Sequence, residues 1–484
     1  MATPIHGSNG TDAQAEWVPA RLIPTFGIRN EKDQEKRVTS SLLAVMHAVP
    51  EFAHALLAPL GAPKARPKTF AEVRFKTAEG ELCIPDGAIV VDRGKKRWTC
   101  LLEVKTGRNE LRAAQVSTYL DIARDNGFDA VLTISNQITS ADVKDAPVTV
   151  DKRKLKRVHL YHLSWLRIAT EAIVQHRFRG ITDPDQAWIL GELIAYLDSE
   201  ASGASGFDDM GAEWVTVRDA AHAGTLRPGA EVHAVAARWD QFIEYAGLGL
   251  AQELGTDVTV VTPRNQTRAQ RTDQLARDLL ETGRVAGTIK IPATVAPLEV
   301  IADLRSRQVE TTVSVSAPRD GRPTARVNWL LRQLREAPAQ LRITVSFEGA
   351  RESVAASLSE ARENPAVLLS QADPKRVPRA FAVTLLRPMG RKRGKGRGSF
   401  ISDTRLQAFD FYRDVLQVLK PWQQRAPRLP DESRPPVEEH VAAEVASLVA
   451  SVEPVMIERP AQTPAKHLEP GPGVAAEGDS SRPS

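Results

Sequence analysis

The chain has 484 residues, 42% hydrophobic and 26% charged, a length that calls for two domains plus tails and a balance ordinary for globular protein. Aromatic residues make up only 5%, which argues against a protein that stacks single-stranded bases on an aromatic platform, and no run approaches ~20 uninterrupted apolar residues, so no membrane span is expected. The net charge of +4 is uneven: from Leu429 onward ten acidic residues face four basic ones, which leaves +10 for the body and suits a polyanionic partner.

Residues 1–28 read as an extended arm, rich in Gly, Pro, Ser and Thr, whose Trp17, Leu22, Ile23 and Phe26 would pack across a core. The opening MATPIHGSNGTDAQAEW lacks the basic and apolar regions of a signal peptide, and with two cysteines expected as free thiols, a cytoplasmic location follows. A helix is predicted over about Glu31–His47, then a second segment after Pro50. Thr69–Phe75 alternates as a first strand.

Residues 81–105, ELCIPDGAIVVDRGKKRWTCLLEVK, form a hairpin pattern: Ile89–Val91 and Trp98–Leu102 flank the turn Asp92-Arg93-Gly94-Lys95-Lys96. Residues two apart on a strand share a face, so Glu103 and Lys105 project together while Val104 turns to the core. Pairing the strands brings Asp86 alongside Glu103. Two carboxylates on rigid strands offer hard oxygen ligands to Mg²⁺ (or Mn²⁺), and a neighbouring lysine can serve an attacking water and neutralise charge developing on phosphorus. The segment ELRAAQVSTYLDIARDNG then predicts an amphipathic helix carrying Gln115 and Tyr119, and Phe128–Ile134 a buried strand.

Pro85-Asp86, a hairpin, Glu103-x-Lys105, then Q-x-x-x-Y on the next helix: this order resembles the PD-(D/E)xK nuclease superfamily, in its RecB-like variant, over residues ~70–136. The resemblance implies a restriction-endonuclease-like α-β-α core with a mixed sheet, in an α/β protein. It also implies a metal held by Asp86, Glu103 and the Val104 carbonyl, with Lys105, Gln115 and Tyr119 completing a catalytic set. A helix ahead of the first strand often brings an acidic residue to such a metal. Glu31 and Glu35 are the candidates, or both lie on a solvated face with Lys32, Lys36 and Arg37. Two thiols, Cys83 and Cys100, cannot ligate a cubane cluster, which disfavours the iron–sulfur variant.

Downstream, DKRKLKR places Lys152, Arg153, Lys154, Lys156 and Arg157 in a run that would grip a phosphate backbone or stay solvated. A strand over His159–His162 and a helix over Ser164–Gln175, with Ser164 as its cap, come next, the two histidines being structural. Asp183-Pro184-Asp185 opens a further helix. The Gly/Ser-rich residues 199–213 are a linker, so the nuclease-like domain spans 29–198. Over 214–425 a second, α+β or α/β, domain is predicted, with helices at 229–253, 267–282, 323–336, 351–362 and 402–419. Strand-like runs occur at 257–262, 285–291, 298–303, 309–315, 341–347 and 380–386. Between the last strand and helix lies a flexible basic loop, Arg387–Ser399, whose Arg391, Lys392, Arg393, Lys395 and Arg397 would order on nucleic acid. Residues 426–484 are acidic, proline-rich and expected to be disordered, with a short helix over His440–Val452 for a protein partner or for masking the basic body. The expected function is a Mg²⁺-dependent deoxyribonuclease in restriction, repair or phage defence, acting on DNA, with a homodimer plausible for cutting both strands. The alternatives are an inactive nucleic-acid-binding or regulatory protein on the same fold, or a protein-binding scaffold.

Overall fold

Asn30 starts the fold by accepting the Asp33 N–H on its side chain at 2.9 Å, and Glu31 and Asp33 complement the positive end of the helix it caps. That helix, α1 (Glu31–Ala48), buries Val38, Leu42, Val45 and Met46 along one stripe. Pro50, at the first position of α2 (Pro50–Leu57), begins a second helix where its missing N–H costs nothing. The computed structural model describes residues 21–76, 80–139, 143–204, 206–263 and 266–424. Most of the N-terminal arm, with Trp17, and the whole tail with its 440–452 segment lie outside the described residues.

The first strand is shorter than the alternation suggested. β1 (Lys68–Ala71) stops at Glu72, which adopts φ 49° and donates its N–H to the Asp86 carbonyl at 3.0 Å. Phe75–Lys76 (β2) then pairs with Leu82–Cys83 (β3) in a separate ribbon, so Cys83 lies ahead of the hairpin rather than on it. The hairpin itself is β4 (Gly87–Arg93) and β5 (Lys96–Val104), with Gly94 at φ 59° in the turn. After α3 (Ala113–Asp125) come β6 (Ala130–Ser135) and β7 (His159–Ser164), both parallel to β5. The sheet runs β1-β4-β5-β6-β7, antiparallel on one side of β5 and parallel on the other. Ser164 caps α4 (Trp165–Val174) and Asp183 caps α5 (Pro184–Asp198), as their sequences suggested.

Alternation along β5 sorts the two faces. Trp98, Cys100, Leu102 and Val104 join one core with α1, α2, α4 and α5, while Leu101 packs with Val131, Leu160 and α3 on the other. This is an α/β architecture of helix, mixed sheet and helix.

The second half opens with a helix the sequence did not announce, α6 (Trp214–His222), followed by α7 (Ala230–Leu254). Seven antiparallel strands follow: β8 (Thr259–Val260), β9 (Arg284–Lys290), β10 (Leu298–Asp303), β11 (Gln308–Ser316), β12 (Arg342–Phe347), β13 (Ser353–Ser357) and β14 (Pro378–Pro388). Their order is β13-β12-β14-β11-β10-β9-β8. Helices α8 (Arg268–Thr282), α9 (Pro323–Gln333), α10 (Leu358–Glu363) and α11 (Phe400–Phe411) complete an α+β half. The helix expected over 351–362 is corrected: Ser353–Ser357 pairs with β12, and the helix starts only where Ser357 and Glu360 form a capping box.

Residues 199–213 do not behave as a loose linker. Ser202, Phe207 and Met210 are buried, the Met210 N–H donates to the Arg393 carbonyl at 3.2 Å, and Gly203 O accepts from Gly107 N at 2.9 Å. Helices α4 and α7 pack together, with Gln252 Nε2 donating to Thr170 Oγ1 at 2.9 Å, so the described residues up to Gln423 belong to one compact unit. Among the described residues no single helix is long and apolar enough to cross a membrane. The bent pair Glu31–Ala48 and Pro50–Leu60 is apolar enough only jointly, and contributes many residues to the core.

Candidate active site

Register puts the acidic residues together. Gly87 sits opposite Leu102 in the β4–β5 ladder, so Asp86, one residue before β4, lies beside Glu103. Gly87 is required there: a Cβ would stand 2.8 Å from both Leu43 Cδ1 and the Phe70 carbonyl, where α1 and β1 crowd the strand. Asp86 Oδ2 accepts from the Val104 N–H at 2.7 Å, which fixes the carboxylate against the end of β5.

Glu103 is 1% exposed, and its Oε1 lies 2.5 Å from Lys105 Nζ in an ion pair that leaves neither carboxylate oxygen with a well-directed hydrogen bond. The same ammonium donates to the Val104 carbonyl at 2.8 Å and to Glu35 Oε1 at 3.2 Å. Of the two helix candidates, then, Glu35 reaches the cluster. Glu31, one turn earlier, makes no ion pair among the described residues. Nearby, Lys36 pairs with Glu72 at the break after β1. Lys105 is anchored from behind, its N–H on the Ile134 carbonyl at 2.8 Å and its carbonyl on Trp165 Nε1 at 2.9 Å.

Gln115 and Tyr119 do share a face of α3. Gln115 Nε2 donates to the Tyr119 hydroxyl at 3.1 Å, and that hydroxyl donates to the Ile84 carbonyl at 3.4 Å, just ahead of Asp86. Tyr119 is buried and its pKa is raised, by burial and then by the Glu103 carboxylate it faces.

Three carboxyls at one rim strain the electrostatics. Burial, then repulsion from Asp86, pushes Glu103 up to about 7 despite Lys105. Asp86 and Glu35 are also raised, chiefly by burial, with Lys105 opposing both. For Lys105 burial pulls down, but Glu103, then Glu35 and Asp86, outweigh it and leave the ammonium raised. The cluster is therefore short of positive charge. Asp86 and Glu103 are the pair that could hold a divalent cation, although Lys105 Nζ already lies 2.5 Å from Glu103 Oε1. Mg²⁺ needs only one or two carboxylates when waters and substrate oxygens fill its remaining positions. The Val104 carbonyl is occupied by Lys105 Nζ. Among the described residues no group of three or more His, Cys, Asp or Glu side chains is placed to hold a metal ion.

The other sequence candidates divide. Lys152, Arg153, Lys156 and Arg157 are exposed around a short 3-10 turn, whereas Lys154 is tied to α3 through Asp121 and the Ser117 carbonyl. The Arg387–Ser399 segment is folded back rather than loose. Lys392 bridges to Ser399, Arg393 pairs with Asp209 at 3.2 Å, and the Arg391 carbonyl accepts from Arg218 Nη1 at 2.7 Å. Gly390 makes this possible, because a Cβ there would stand 2.4 Å from the Ser399 carbonyl carbon. Lys392, Lys395 and Arg397 remain exposed, with Lys395 Nζ near Gly206. His162 is structural: buried, with its pKa lowered to about 4 by burial, it bonds Thr133 Oγ1 at 3.0 Å and the Gln137 carbonyl at 2.9 Å. Cys83 and Cys100 are free thiols.

Sequence reasoning left Glu35 open and missed Trp165. Position 35 is separated from the hairpin by more than fifty residues, so only the packing of α1 against β1 and α5 selects it over Glu31. No model of a protein family matches this chain, and no curated protein resembles it in sequence.

Proposed function

We propose that the protein is a Mg²⁺- or Mn²⁺-dependent deoxyribonuclease of the PD-(D/E)xK type that hydrolyses phosphodiester bonds in the cytoplasm. The observation that carries this reading is the convergence of Asp86, Glu103 and Lys105 at the end of β5, with Glu35 brought in by α1. A buried and a half-buried carboxylate with excess negative charge suit a divalent cation, which when bound would supply a Lewis acid for the phosphoryl group. Asp86, oriented by the Val104 N–H, and Glu103, paired with Lys105, are the residues that would hold it. Lys105 is the group suited to orient an attacking water, its ammonium also held by Glu35. Tyr119 and Gln115 wall the site from the α3 side and shield Glu103 from solvent.

DNA as substrate is supported by the basic body and by the exposed Lys152, Arg153, Lys156 and Arg157. The test is nicking of supercoiled plasmid with Mg²⁺, Mn²⁺ or EDTA, by wild type and by Asp86→Asn, Glu103→Gln and Lys105→Ala. Metal-dependent nicking by wild type and its loss in all three variants is the expected result. Salt-sensitive DNA binding with no cleavage in any metal would replace this proposal by a non-catalytic role on the same fold.

A further inference from the structure

A cavity of about 790 Å³ lies at the junction of the two halves, walled by α4 and α5 on one side and by α7, α11 and the basic loop on the other. Its size and its place between two cores are those of a small-molecule site. Asp86, Glu103, Lys105 and Glu35 do not line it.

The chemistry of its lining is specific. Lys395, Arg405 and Tyr245 all line the cavity: Arg405 Nη1 donates to the Tyr245 hydroxyl at 3.0 Å, and a Cβ on Gly206 would lie 3.8 Å from Lys395 Nζ and 3.9 Å from the Tyr245 ring. Among the described residues neither cation has a carboxylate within ion-pair distance, whereas Arg387 and Arg393 are paired with Asp410 and Asp209. An ammonium and a guanidinium that lack an ion-pair partner suit an anion, and phosphate matches both, although Asp208 also lines the cavity. Elsewhere the lining changes character. Asp198 and Glu200 offer acceptors, while Leu166, Ala169, Ile173 and Ile194 give an apolar wall.

From this arrangement we infer that the junction cavity binds a nucleotide, its phosphates on Lys395 and Arg405, its sugar hydroxyls or base amino groups on the carboxylates, and its base on the apolar wall. Inorganic phosphate would use only the first of these, and a nucleoside only the last two. The cavity also touches the back of the active site. Gln34, one residue before Glu35, and Trp165, whose indole N–H holds the Lys105 carbonyl, both line it. A ligand here is therefore placed to alter the position of Lys105 without touching Asp86 or Glu103.

The test is calorimetric titration of the full chain with ATP, and separately with adenosine and with inorganic phosphate, against wild type, Lys395→Ala and Arg405→Gln. Expected is ATP binding well below roughly 1 mM, weakened about tenfold or more by either substitution, as loss of one charged hydrogen bond implies, with adenosine and phosphate each weaker than ATP. Lys395 is exposed and on a loop, so its truncation leaves the fold intact, and an unchanged melting temperature checks this. ATP binding that neither substitution weakens, or no binding at roughly 5 mM, which corresponds to less than about 3 kcal/mol, overturns the assignment. DNA cleavage is assayed without nucleotide, so either outcome leaves the nuclease test independent.

Discussion

Replacing Glu103 by Gln is expected to stabilise the protein at alkaline pH while abolishing cleavage. In the folded chain burial and Asp86 push the Glu103 carboxyl from 4.5 to about 7. Protonation is thus favoured by folding, so its contribution to stability is fully present below about 4.5 and is lost as pH rises through about 7. Forcing the group to ionise at pH 8 costs roughly 3 kcal/mol at 1.36 kcal/mol per pH unit. Gln carries no such penalty and keeps the shape of the protonated acid. With an unfolding entropy of about 2.1 cal/mol/K per residue over roughly 400 residues, 3 kcal/mol corresponds to a rise of about 4 °C in melting temperature. Differential scanning fluorimetry of wild type and Glu103→Gln at pH 5 and pH 8 measures it. A gap that opens only at pH 8 is expected. A variant that melts at or below wild type at pH 8, or a gap equal at both pH values, would refute the charge-strained site.

Divalent cations should act on the same strain. About 10 mM MgCl₂ at pH 8 should raise the wild-type melting temperature by about 1–2 °C if the affinity is near 1 mM; the shift should vanish in Asp86→Asn and should fade as pH drops below about 7, where Glu103 protonates. Gly87→Ala should destabilise by about 1–3 kcal/mol, because its methyl group meets the Phe70 backbone carbonyl, which cannot rotate away as Leu43 can. Thermal melting checks this, and cleavage should fall as well, since Asp86 is the adjacent residue. Trp165→Phe should cost about 1–3 kcal/mol by leaving the Lys105 carbonyl without its donor. Its cleavage rate should fall more than its DNA affinity, as separate nicking and gel-shift measurements would show.

Much of the first half was legible in its residues. Period-two patterning places β4 and β5, and the parity of strand positions alone sends Glu103 and Lys105 to the opposite side from Val104. Capping chemistry at Ser164 and Asp183 also survives intact, because a side chain bonding its own neighbours needs no distant partner. What depended on distant partners was harder. The break at Glu72 follows from its N–H reaching the Asp86 carbonyl and its side chain reaching Lys36, neither of which a local pattern encodes. Likewise, the Gly/Ser composition of 199–213 signals freedom, yet Phe207 and Met210 are apolar anchors within it, and both are buried. The glycines of the basic loop mislead in the same way: Gly390 serves a close backbone crossing rather than mobility.

The tethering of residues 199–213 to both halves has a practical consequence. A gene cut at that glycine-rich stretch would strip Phe207 and Met210 of their cover and sever the Gly107–Gly203 clasp beside Lys105. Either fragment would be born with a raw hydrophobic flank, so aggregation, not a minimal catalytic module, is what such a truncation should yield.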